Sequence, residues 1–119
     1  LVVVVHKNNP TQSMTRSQVI DLFMGKYVAF PDGSKAIPLD IDSDNKTKQA
    51  FYQSLVKMSL ARINAYWSRI QFTGRARRPD SHENGAAIVK FIQQSNAAIG
   101  YIHRSQLTND LKVVYELNE

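Results

Sequence analysis

The run Ala36-Ile37-Pro38-Leu39-Asp40-Ile41-Asp42-Ser43-Asp44-Asn45-Lys46-Thr47-Lys48-Gln49-Ala50-Phe51 changes chemical character twice over a short distance. It opens apolar, which predicts a buried strand over Ile37–Ile41. It then crosses a turn of small polar residues and enters a helix from about Lys46 to Met58. Phe51, Leu55 and Met58 recur at spacings of four and three, which puts them on one helical face. A strand that feeds a helix N-terminus through such a turn brings free backbone N–H groups together with the positive end of the helix dipole. That combination is an anion site.

On the N-terminal side, Leu1-Val2-Val3-Val4-Val5 is continuous and β-branched, so both its faces should be covered; it predicts a central strand. Asn8-Asn9-Pro10 ends it. Thr15 caps the next helix, with Gln18 closing a capping box, and Val19, Leu22 and Phe23 form the inner stripe. Gly25 suits a left-handed stop. Tyr27 to Phe30 reads as a short edge segment or a loop, and Pro31-Asp32-Gly33-Ser34 as a turn. On the C-terminal side, Ser59 offers a cap for a helix carrying Leu60, Ile63, Trp67 and Ile70. No Gly or Pro breaks Lys57-Met58-Ser59, so one kinked continuous helix is the other possibility there. Ser81 can cap a last helix with Ala87, Ile88, Phe91 and Ile92 inside. Ala98–Ile102 and Leu111–Tyr115 read as strands. The order β-α-β-α-α-α-β-β predicts a three-layer α/β/α domain with a mixed, mostly parallel sheet, one domain over residues 1–119.

Composition narrows the function classes. The chain has 119 residues, 43% hydrophobic and 21% charged, which is a globular balance. No apolar run approaches the ~20 residues of a membrane span. Leu1–Val5 lacks the basic start and the length of a signal peptide, so the chain is expected to begin inside a strand, as a processed protein does. With no cysteine, disulfides, thiolate zinc sites and cysteine nucleophiles are excluded. A net charge of +5 favours anionic partners: nucleic acid, an acidic surface or a small anion.

The residues then form an ordered set of short matches. Val3-Val4-Val5-His6-Lys7-Asn8-Asn9-Pro10 is followed by Thr15-Arg16-Ser17-Gln18-Val19-Ile20-Asp21-Leu22-Phe23-Met24-Gly25-Lys26, Phe30-Pro31-Asp32-Gly33 and Ile37-Pro38-Leu39-Asp40. Ala50-Phe51-Tyr52, Phe72-Thr73-Gly74 and Asn96-Ala97-Ala98-Ile99-Gly100-Tyr101-Ile102 complete it. In this order and spacing the chain resembles the phosphate-binding protein family of ABC transporters, within the type II periplasmic solute-binding fold, and it resembles one lobe of that two-lobed fold. The resemblance implies a ligand cleft on the open face, and a bacterial periplasm or envelope as the compartment. Family members carry a Ser-Gly-Thr-Arg-like turn where this chain has Asn45-Lys46-Thr47-Lys48. Thr47 is kept, Lys48 stands for arginine without its bidentate fork, and Lys46 replaces glycine. Asn45, Thr47 and Ser43 are then the hydrogen-bond donors to a phosphate-like anion and Lys48 its charge. Asn9 and Ser13 are expected to border the same edge by family geometry. His6 and His103 follow strands that the family places side by side, so the two could meet.

Other motifs have simpler readings. Asp40, Asp42 and Asp44 alternate like the opening of a calcium loop, but Phe51 stands where a bidentate Glu is required and Asn45 where the turn needs Gly; solvated turn carboxylates and a helix cap explain them. Arg75, Arg77 and Arg78 form the densest basic patch, an anion or acidic-partner contact or a solvated loop. Nucleic acid is not favoured, since no aromatic residue interleaves with the arginines. Tyr52, Tyr66 and Trp67 pack at helical spacing with Leu55 and Ile70. The three histidines do not form a metal set, and no nucleophile elbow, Walker loop or Gly-x-Gly-x-x-Gly occurs. The sequence therefore predicts a non-catalytic binding module without cofactor or metal, for phosphate or a similar oxyanion, linked to ABC-type uptake. The alternative is an interaction domain that kept the lobe, lost the ligand and uses the open face for a homodimer or a partner protein.

Overall fold

Five strands form one sheet: β1 (Val2–His6), β2 (Ile37–Ile41), β3 (Asp80–His82), β4 (Ala98–Ile102) and β5 (Leu111–Glu116), in the order β3-β2-β4-β1-β5. The computed structural model describes residues 1–42, 46–74 and 76–117. β2 runs parallel to both β3 and β4, whereas β1 is antiparallel to β4 and β5, so the sheet is mixed as expected, with two parallel and two antiparallel pairings. The unbroken Val2–Val5 run is fully buried because β1 has a strand on each side and packing on each face. β3 is the strand that sequence patterning missed: Asp-Ser-His has no apolar alternation, and it pairs only at the sheet edge.

The helices divide between the two faces. α1 (Arg16–Phe23) starts from the Thr15/Gln18 capping box and stops at Gly25, whose φ is +71°. α2 (Lys46–Val56) and α3 (Leu60–Phe72) are separate helices: Lys57 takes a left-handed φ of 58°, and the Ser59 hydroxyl accepts from the Arg62 N–H at 3.3 Å. This answers the question left by the Lys57–Ser59 junction. α4 (Gly85–Gln93) begins one turn later than Ser81 predicts, because Ser81 belongs to β3 and Asn84 is the cap, accepting from Ala87 N–H at 3.0 Å. Phe91, expected inside, stays 36% exposed against the His82 ring.

Alternation along the strands assigns the faces. Phe23 of α1 and Phe51 of α2 pack on Tyr101 of β4, with Phe51 and Tyr101 stacked at 3.8 Å between ring centroids. On the other face, Gly100 lets α4 approach: a Cβ there would lie 2.6 Å from Ile88 Cγ2. Gly100→Ala should therefore lose about 1–3 kcal/mol of stability, typical of overpacking, read from the urea midpoint with an unchanged slope.

Candidate functional site

The pairing register decides which residues share an end of the sheet. Ile37 faces Ala98 and Val2 faces Ile102, so the C-terminal ends of β2 and β4 lie beside the start of β1. α2 begins at this end. Thr47, in its first turn, has its Oγ1 3.1 Å from Nε2 of His103, the residue directly after β4. Lys46, the first residue of α2, is exposed, as is His103. Thr47 and His103 thus frame the mouth of the helix.

Asp40 organises the interior below that mouth. The sequence suggested a solvated turn carboxylate, but Asp40 lies within β2 and is 4% exposed. Its side chain shares the face occupied by α2, where it accepts from the hydroxyls of Tyr52 and Tyr101, each at 2.5 Å, and from the Ile41 N–H at 2.8 Å. Lys48 Nζ lies 3.8 Å from Asp40 Oδ2. Burial above all, then the Asp40 charge, pushes both phenols well above the ordinary value of 10.0; for Tyr52, Arg78 pulls weakly the other way. The cluster joins β2, β4 and α2 through one carboxylate.

Several predicted site residues move as a result. Lys48 is buried and its charge is committed to Asp40, so it does not stand at the helix mouth as expected. Asn9 is at the other end of the sheet: β1 runs against β4, and the Asn9 amide donates to Asn96 O at 2.8 Å, just before β4. Its carbonyl accepts from the Thr11 N–H at 2.9 Å, so the side chain braces a loop. Ser13 is exposed beside Met14, whose N–H bonds Val114 O of β5, which is separated from β2 by the two strands β4 and β1. Neither therefore borders the edge that Thr47 occupies. The same antiparallel register puts His6 and His103 at opposite ends of the sheet, so they cannot meet. Ser43, Asn45 and Arg75 lie outside the described residues. Arg77 is exposed and paired with Asp80 at 3.3 Å, whereas Arg78 is half-buried. Among the described residues no group of three or more His, Asp or Glu converges on a metal position, and no helix is long and apolar enough to cross a membrane.

His103 is the residue that sequence reasoning missed. Its signal was the parallel pairing of the strands before Thr47 and His103, which sequence pattern alone does not supply. Tyr52 is core, as its helical spacing predicts, and its hydroxyl reaches the buried charge.

Neither a protein-family model nor a curated protein matches this sequence. Solved structures do. A protein from Clostridium perfringens, assigned as a phosphate ABC transporter substrate-binding protein and solved with bound phosphate, matches with a TM-score of 0.74 and 19% identity, over 95% of this chain and 43% of that one. An ABC-type phosphate transport receptor from Vibrio cholerae matches with a TM-score of 0.74 and 14% identity, over 95% of this chain and 44% of that one. This is the fold of one lobe of a phosphate receptor. The chain spans less than half the length of the two receptors.

Two outcomes follow from the buried cluster. Asp40→Asn leaves the Lys48 ammonium buried without its counter-charge and should cost about 3–5 kcal/mol in chemical denaturation. The double variant Asp40→Asn/Lys48→Met should recover most of that loss, because the stranded charge is gone. The alkaline limb follows from the phenols. Folding keeps both protonated, so their contribution is complete below the ordinary value of 10.0 and declines as the pH rises past it. Thermal stability should fall above about pH 10, with the phenolate absorbance of Tyr52 and Tyr101 appearing only as the protein unfolds.

Proposed function

We propose that this chain is a non-catalytic solute-binding module that takes phosphate or a similar small oxyanion at the N-terminal end of α2. It works outside the cytoplasm of a bacterium in ABC-type uptake. The observation that carries this reading is the match of 95% of the chain to one lobe of a receptor solved with bound phosphate. Thr47 donates to the anion from the first turn of α2, and His103 adjoins it at 3.1 Å. The helix N-terminus contributes its backbone N–H groups and dipole, and Ser43 and Asn45 complete the donor set expected from the sequence. Attraction at the mouth comes from Lys46 and the helix, since Lys48 is neutralised by Asp40.

That neutralisation favours a second reading: an interaction domain that retains the lobe but uses its open face for a second copy or a partner protein. A cage built from one lobe leaves the ligand half-exposed, and charge-assisted hydrogen bonds lose most of their strength in water. A second lobe would restore it.

Calorimetric titration with inorganic phosphate separates the two. The binding module should give a saturable heat, with affinity reduced roughly tenfold in Thr47→Val, the equivalent of about one lost hydrogen bond. Lys48→Ala is a poor probe because it strands the Asp40 charge in the interior. Absence of heat and of any thermal shift at millimolar phosphate, together with a dimer by light scattering, would establish the interaction reading instead.

A further inference from the structure

The basic loop before β3 does not act at the helix mouth. Ala76, Arg77, Arg78, Pro79 and Asp80 line a cavity of about 510 Å³ at the N-terminal end of β2, which includes Ile37 and Pro38 in its wall. Leu22 and Val28 supply further apolar surface. This is the end of the sheet opposite Thr47, since β2 runs from Ile37 at the cavity to Ile41 near α2. The volume falls within the ~300–1,000 Å³ usual for small-molecule sites, and the lining matches their pattern of apolar walls with a few polar groups.

The charged groups on this cavity are Lys35, Arg77, Arg78 and Asp80, so cations outnumber the acid. Arg77 pairs with Asp80 at 3.3 Å, which occupies the one carboxylate. Arg78 is different. Its Nε is buried and has no hydrogen-bond partner among the described residues. A guanidinium donor buried without an acceptor is unfavourable, and an anionic oxygen that reaches the group offsets this. The planar fork of Arg78 suits two oxygens of one group, and Lys35 adds a second positive charge.

We infer that this cavity binds a small organic oxyanion, an apolar body carrying one carboxylate or phosphate group, with the anionic group on Arg78 and the body against Leu22, Val28 and Ile37. The site is independent of the phosphate mouth, lying at the other end of β2. Inorganic phosphate is not its preferred ligand, because Leu22, Val28, Ala36, Ile37 and Pro38 give it an extensive apolar wall.

Amide NMR titration of the intact chain tests this with four probes: benzoate, phenyl phosphate, inorganic phosphate and benzyl alcohol. At least one of the first two should saturate with shifts at Leu22, Val28 and Ile37, and whichever binds tighter identifies the anionic group. Inorganic phosphate and benzyl alcohol should leave these amides unmoved. Arg78→Met keeps the stem and removes the charge and donors, and should weaken binding at least roughly tenfold. Val28→Phe fills the cavity and should do the same; it decides the matter if Arg78→Met does not fold. Thr47→Val should leave this binding unchanged, so failure of the phosphate mouth is seen separately. The inference is overturned if neither organic anion gives saturable shifts up to about 10 mM, if benzyl alcohol binds as well as they do, if their shifts gather only at Thr47 and His103, or if the folded variants bind undiminished.

Discussion

The carboxylate of Asp40 determines how α2 sits on the sheet. A charge this deeply buried persists only with partners on every side, and here they come from three directions: Tyr101 along β4, Tyr52 and Lys48 from α2, and the N–H of Ile41 on its own strand. Tyr52 and Lys48 are four residues apart, so one helical face delivers both to the same carboxylate. Phe51, between them in sequence, stacks on Tyr101 and so fixes the ring whose hydroxyl completes the set. Moving α2 by one turn would strand a buried charge, and the position of Thr47 relative to His103 depends on that restraint.

This arrangement changes what Lys48 is for. At the surface beside a helix N-terminus a lysine attracts anions; inside, next to a carboxylate, it cancels a charge. The choice depends on where its Cα falls on the helix, and Lys48 faces the core with Phe51, Tyr52 and Leu55. On the proposed reading, with Lys48 neutralised from below, an anion at this mouth would be drawn by backbone amides, the dipole and Lys46. Such a site selects weakly by charge and more by hydrogen-bond geometry, because fixed N–H groups reward the ligand that matches their spacing.

Local features were legible because local chemistry determines them. Thr15 with Gln18 specified the start of α1, Gly25 its end, and Ser59 the start of α3, since each acts through hydrogen bonds or torsions within one turn. The long apolar strands were legible for the same reason. What failed was direction. Nothing in Val2–His6 states that it runs against β4, yet that fact moves Asn9 and His6 to the far end of the sheet, while the parallel pairing of β2 with β4 brings His103 to Thr47 without them. Asp40 was misread because a carboxylate between two apolar residues looks like a turn residue unless the two tyrosines, 12 and 61 positions away, are known to meet it.

The arginine cluster shows the same principle at short range. Three arginines so close in sequence read as one basic patch, but Arg77 and Arg78, both just before β3, sit in different environments. Arg77 pairs across to Asp80 in the solvent, while Arg78 turns inward, where its field reaches Tyr52 and its Nε has no acceptor among the described residues. Charge counted along the chain treats the two alike; only burial distinguishes them, because a guanidinium in water already has its hydrogen bonds and a buried one must find them. Hence Arg77 and Arg78 lie toward one end of β2 and the helix mouth toward the other, with the buried Asp40 cluster between them.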